Sequence, residues 1–276
     1  MKSARKASIY FHIHLVSDST GETLVNVMKA SCAQYEHATA LEHLHALVRS
    51  EAQMERVLEQ IESRPGIVFY TIVNSERRRM LEQRCAELNV QAVSILDPTL
   101  ATLGRYLGAP MTSEVGAQRN LDAEYYNRIE ALDFAMAHDD GQNVGGLKDA
   151  DVILLGVSRT SKTPTCIYLA NRGIKAGNIP LVPNVDLPAA VMDYKTPMII
   201  GLVAKPERIA EIREARLTGL AATQSQSYAS QANVEDEMLK ARRLFARNKW
   251  PTVDITRRSI EETAARILNL YQDRNL

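Results

Sequence analysis

The stretch Val152-Ile153-Leu154-Leu155-Gly156-Val157-Ser158-Arg159-Thr160-Ser161-Lys162-Thr163-Pro164-Thr165 decides the reading of this chain. Asp151 to Leu155 reads as a strand whose unbroken apolar run predicts burial on both faces. A polar loop follows, and Thr163 to Arg172 reads as a helix, with Gly173 as its C-cap. Strand, loop and helix in this order match the phosphate-binding pattern G-x-x-x-x-G-K-[ST] at Gly156, Lys162 and Thr163, with Ser161 at the second glycine position. Each residue type has a chemical reason. Gly156 frees the chain to turn off the strand. The successive N–H groups of Val157, Ser158, Arg159, Thr160 and Ser161 form a nest for phosphate oxygens. The helix start adds its own unpaired N–H groups and positive dipole end. Lys162 supplies a cation, and the Thr163 hydroxyl is a Mg²⁺ ligand. The competing reading is an ordinary Lys-Thr helix start. The strand before it and the helix after it favour nucleotide binding.

Outward from this loop, strands alternate with amphipathic helices, which predicts parallel sheets with crossover helices. Toward the C-terminus the strands are Ile179 to Val182, Met198 to Ala204 and Thr252 to Ile255. Pro206 opens a helix to Leu217, Val234 to Asn248 forms another, and Ser259 with Glu262 marks the capping box of the last. Toward the N-terminus, strands are read at Ile9 to Val16, Ile67 to Val73 and Val90 to Ile95, the last closed by Asp97-Pro98. Helices are read at Glu51 to Glu62, Ser75 to Leu88 and Glu124 to Ala137. Gly104 to Asn120 reads as a connection, and no internal repeat is visible. The expected architecture is α/β: a Rossmann-like parallel-sheet domain over residues 1–110, a connecting segment and helix over 111–150, and a P-loop kinase-like domain over 151–276.

Composition narrows the function class. Lys plus Arg and Asp plus Glu each number 33 in 276 residues, so the net charge is zero. No global field draws this protein to nucleic acid or an anionic membrane. The three cysteines, Cys32, Cys85 and Cys166, are too few and too scattered for a disulfide framework or zinc site, which fits a reducing cytoplasm. No run approaches the roughly 20 apolar residues of a membrane helix.

Further candidates lie elsewhere. Ser17-Asp18-Ser19-Thr20-Gly21-Glu22-Thr23 leaves a strand and opens a helix. It is either a second anion site with Asp18 as metal ligand or base, or simply a well-capped helix start, and the residues alone favour the cap. His138-Asp139-Asp140-Gly141 puts an imidazole and two carboxylates at a helix end. Asp139 or Asp140 there can hold Mg²⁺ or accept a proton, or the turn can be a solvated terminus. The strand Met198 to Ala204 ends without an Asp, which turns attention to these carboxylates as the metal ligand. His12 with His14 and His43 with His45 share strand faces but lack a third ligand at useful spacing. Arg208, Arg213 and Arg216 lie on one helix and read as a solvated face within reach of phosphate. No Asn-Lys-x-Asp motif supports guanine recognition.

The chain resembles the pyruvate, phosphate dikinase regulatory proteins of bacteria and plants and the related phosphoenolpyruvate synthase regulatory proteins. The resemblance rests on His14 to Thr23, Arg128 to Gly141, Gly156 to Thr165 and Ser227-Tyr228-Ala229-Ser230, in that order along the chain. It implies a bifunctional enzyme. One activity transfers the β-phosphoryl group of ADP to a threonine of the dikinase, leaving AMP. The other removes that phosphate with inorganic phosphate, giving pyrophosphate. The resemblance assigns the nucleotide to Gly156 through Thr163, and Ser161 is the form associated with the dikinase branch. Within this chemistry Lys162 holds the transferring group, Asp140 or Asp18 activates the acceptor, and Thr163 with Asp139 holds Mg²⁺. A cytoplasmic homodimer is the expected form. The same chemistry on the synthase, an ATP-dependent small-metabolite kinase and a non-catalytic nucleotide sensor are the rival readings. A dinucleotide oxidoreductase is remote, because no G-x-G-x-x-G follows a strand.

Overall fold

The computed structural model describes residues 9–108, 123–217 and 230–275. The chain divides into two units, Met1–Asn120 and Leu121–Leu276.

The first unit runs β1 (Ile9–Ser17), α1 (Glu22–Cys32), β2 (Ala38–His45), α2 (Glu51–Ser63), β3 (Ile67–Thr71), α3 (Ser75–Glu87), β4 (Ala92–Ser94) and α4 (Asp97–Leu107). Its strands pair in parallel in the order β2-β1-β3-β4. Alternate side chains of β1 enter two cores: Val16 joins one, Ile13 and Leu15 the other. Asp97-Pro98 does not close the preceding strand but opens α4, with proline in the first turn, where its missing N–H goes unused. Gly104 to Leu107 is therefore helical rather than connecting. Gly108 caps that helix, and residues 109–120 of the expected connection, with Ser227 to Ala229, lie outside the described residues.

The histidines of β1 and β2 meet across the parallel register. His12 and His43 approach at 2.8 Å between ring nitrogens, and His14 and His45 at 3.1 Å. Burial, reinforced by neighbouring imidazoles, holds His45 down to about 4. The His14 ring stacks on His43 and His45, and His14 itself is fully buried.

The second unit runs α5 (Ala123–Ala137), a 3-10 turn (Val144–Asp149), β5 (Val152–Val157), α6 (Lys162–Ala170), β6 (Ala176–Leu181), α7 (Ala189–Asp193), β7 (Met198–Val203), α8 (Pro206–Leu217), α9 (Gln231–Arg247), β8 (Thr252–Asp254) and α10 (Ile260–Asn275). The sheet order is β6-β5-β7-β8, all parallel. Both units thus share one strand topology that no sequence repeat announces. Every residue of β5 is buried, yet the pleat still sorts them. Val152 and Leu154 face α5, α6 and α10, while Ile153, Leu155 and Val157 face α8 and α9. Among the described residues no helix is long and apolar enough to cross a membrane.

Candidate active site

In the second unit the chain steps from β5 to β6 on one side and crosses back to β7 on the other. Open α/β sheets hold ligands in the crevice at such a reversal, outside the carboxyl ends of the strands. Ser158 to Ser161 occupies that place and leads into α6. Arg159 (φ 76°) and Ser161 (φ 55°) are left-handed. Ser161 therefore takes the backbone shape that a glycine adopts freely, at a cost of about 1 kcal/mol. Ser161→Gly should relieve this strain and offset the added freedom of the unfolded chain. The variant is expected to melt at or above the parent temperature. A loss of more than about 1 kcal/mol would mean the Ser161 side chain contributes packing that outweighs the strain.

Gly156 does not serve as a left-handed turn, because it lies inside β5 with ordinary strand geometry. Its reason is close approach. A Cβ there would stand 2.6 Å from Thr160 Oγ1 and 3.2 Å from the Leu202 carbonyl oxygen. The fully buried Thr160 hydroxyl folds back to donate to the Val157 carbonyl at 2.9 Å, which closes the loop.

Lys162 is the first residue of α6 and is only 6% exposed. Its Nζ donates to the Val157 carbonyl at 3.2 Å. Burial strips the ammonium of water and drives its pKa down to about 8, against the opposing pull of Asp140 and Asp139.

Those carboxylates come from the turn after α5. Asp139 Oδ1 accepts from the Thr163 hydroxyl at 2.7 Å and from Asn178 Nδ2 at 2.6 Å. Asn178, fully buried on β6, pins the turn with its backbone as well. Its N–H donates to the His138 carbonyl at 3.0 Å, and its own carbonyl accepts from the Gly141 N–H at 2.8 Å. Its Oδ1 accepts from the Asp140 N–H at 3.3 Å. His138 stands apart from the chemistry. Its Nδ1 meets the Phe134 carbonyl at 2.8 Å, so that nitrogen carries the proton, and Nε2 accepts from Asn143 Nδ2 at 2.9 Å. The imidazole orders the turn.

The Thr163 hydroxyl and Asp139 carboxylate are hard oxygen donors side by side at the helix start. They suit Mg²⁺, which takes one or two carboxylates and completes its octahedron with phosphate oxygens and water.

Arg213 corrects the expectation of a solvated face. It is fully buried and forms a bidentate pair with Glu237 at 2.7 and 3.1 Å, and its Nη2 reaches the Ser158 carbonyl at 3.3 Å. It tethers the loop from below, whereas Arg208 and Arg216 are exposed. Asn178 carried no sequence signal beyond its position on a strand bordering the loop, and Arg213 carried none that set it apart from Arg208 and Arg216.

Asp18 lies in the first unit, at the carboxyl end of β1. Its Oδ2 accepts from the Val73 N–H at 2.7 Å, so its carboxylate ties the loops after β1 and β3 together. Ser17 Oγ accepts from Thr71 Oγ1 at 2.9 Å beside it. The expected side-chain cap of α1 is absent, since Gly21 (φ 78°) occupies the cap position.

The chain matches the family model described as kinase/pyrophosphorylase over residues 13–268. A protein of Maricaulis maris named "Putative pyruvate, phosphate dikinase regulatory protein" is 58% identical over 264 residues, covering 96% of this chain and 94% of that protein. Proteins of the same name from Hyphomonas neptunium and Bradyrhizobium diazoefficiens are 52% and 51% identical. They cover 99% and 96% of this chain, and 99% and 95% of their own lengths.

Proposed function

This chain belongs to the kinase/pyrophosphorylase family, and we propose that it regulates pyruvate, phosphate dikinase by reversible phosphorylation of a threonine. ADP is the phosphoryl donor and AMP the product. In the reverse direction inorganic phosphate attacks the phosphothreonine and pyrophosphate leaves. The names of the relatives support the target. The observation that carries the chemistry is the buried Lys162 ammonium at the start of α6, held by the Val157 carbonyl where the loop begins and within the electrostatic reach of Asp139 and Asp140.

Phosphoryl transfer asks little covalent work of a protein. It needs the phosphates held in line with the acceptor and their charge neutralised. In this reading Lys162 and the amides of Ser158 to Ser161 hold the β-phosphoryl group. The threonine oxygen attacks phosphorus as its proton passes to Asp140, and the bridging P–O bond breaks with its electron pair going to AMP. Thr163 and Asp139 would hold Mg²⁺, which would supply charge neutralisation on the phosphates. Asp18, tied to Val73, acts in ordering the first unit's loop. The setting is the cytoplasm.

The test is to incubate the protein with purified dikinase and ADP labelled at the β position, then locate the label by mass spectrometry. Label on a dikinase threonine, released as pyrophosphate on adding phosphate, is the expected result. Label confined to a small metabolite, or nucleotide binding without any transfer, gives the function to one of the rival readings. Running the synthase in parallel separates the two protein targets.

The pH dependence has a defined sign. In the free protein Lys162 loses its proton from about pH 8 upward. A bound diphosphate favours the charged form, so binding takes up a proton between about pH 8 and the ordinary lysine range near 10.4. ADP affinity should fall as pH rises through that window, by up to about tenfold per unit. Calorimetry in buffers of different ionisation enthalpy reads the proton uptake, and a pH-independent affinity there would remove Lys162 from the phosphates.

A further inference from the structure

Beside the loop, on the side away from β6, lies a cavity of about 620 Å³. It falls within the roughly 300–1,000 Å³ of small-molecule sites. Arg159 and Ser161 form its border with the phosphate loop. Its walls come from the segment after β7, from α8 and from the segment between β8 and α10. Four more cations line it: Lys205, Arg208, Arg257 and Arg258. Two carboxylates oppose them, Glu207 and Glu211, and Glu211 is already paired with Arg208 at 3.1 Å. Ile212, Ile255 and Ile260 add apolar wall. The two segments that build the floor are bound to each other. The Lys205 N–H donates to Thr256 Oγ1 at 3.0 Å, and the Ile255 N–H to the Val203 carbonyl at 2.8 Å. Arg159 Nε is buried with no hydrogen-bond partner, an unmet cationic donor where loop and cavity join.

The loop therefore has two unlike flanks. Toward β6 stand Asp139 and Asp140, held by Asn178. Toward β7 and β8 stands the cationic cavity. In-line transfer requires the attacking and leaving oxygens on opposite sides of the phosphorus. A carboxylate flank activates a neutral hydroxyl and repels a phosphate; a guanidinium flank with apolar walls takes a departing phosphate that carries a nucleoside. We propose that this cavity receives the nucleoside monophosphate leaving group, AMP in the forward reaction, while the acceptor threonine enters from the Asp139–Asp140 side. The assignment rests on the function proposed above. As the bridging P–O bond breaks, the electron pair and its charge pass to the AMP phosphate under Arg257 and Arg258, and the threonine proton goes to Asp140.

The test compares the full-length protein with Arg257→Ala/Arg258→Ala and, separately, Lys205→Ala. All three residues are exposed, and thermal melts check that folding is unchanged. AMP and ADP titrations should show at least about tenfold weaker binding in the double variant and a several-fold loss in Lys205→Ala. In the transfer assay the KM for ADP should rise by a similar factor and the KM for dikinase should stay constant. Unchanged AMP and ADP affinity overturns the assignment, as does a rise in the KM for dikinase alone, which would give the cavity to the target polypeptide. Should the double variant not fold, Lys205→Ala decides by the same criteria. Loss of nucleotide binding in a protein that never labels dikinase would sink the proposed function but leave the nucleotide cavity standing. A parent protein that binds no ADP would sink both.

Discussion

Replacing Lys162 with methionine is expected to abolish phosphorylation of the dikinase and phosphate-dependent release together, each by at least about 10²–10³-fold. The ammonium is the one cation placed at the helix start with its charge almost wholly withdrawn from water. A fixed charge in such a place interacts far more strongly with a developing phosphate charge than a solvated one does. The loss should not come from unfolding. Because the folded-state pKa lies near 8, below the unfolded value, a charged Lys162 at pH 7 costs the folded state about 3 kcal/mol, and methionine removes that cost while filling similar volume. The variant should melt no lower than the parent at pH 7. If it loses the kinase reaction but keeps phosphorolysis, the two reactions use different sites. The loop Ser17 to Gly21 of the first unit would then be the place to look.

Arg213→Ala should destabilise the second unit by about 3–5 kcal/mol, since it strands the Glu237 carboxylate at a site 13% exposed. The melting temperature should fall by on the order of 10 °C. The double change Arg213→Met/Glu237→Leu removes both charges and should recover most of that stability, because apolar replacement of a buried ion pair is often neutral or better. It should not recover ADP affinity. Both variants lose the contact from Arg213 to the Ser158 carbonyl, and with it a tether on the loop. Differential scanning calorimetry with ADP titration separates the two effects. A double variant that binds ADP as the parent does would show that the tether to Ser158 does not order the loop.

Gly156 lies inside β5, just before the loop. A lone glycine after a strand announces a special backbone position, but only the packed structure reveals that the need is space for Thr160 and Leu202. Asp97-Pro98 likewise takes its role from its surroundings and opens α4. Proline both ends strands and opens helices, and the apolar spacing of Leu100, Leu103 and Leu107 was the signal for the second outcome.

Local pattern alone determined the α/β class, the strand–loop–helix around Lys162 and the candidacy of Asp139 and Asp140, because side-chain periodicity and helix-start chemistry act over a few residues. Tertiary structure alone decided what those residues face. Asn178 reaches Asp139 across 39 positions of sequence, and Arg213 reaches Ser158 across 55. A charged side chain becomes a solvated surface or a buried tether according to which element covers it, and that cover is set by chain segments far away in sequence.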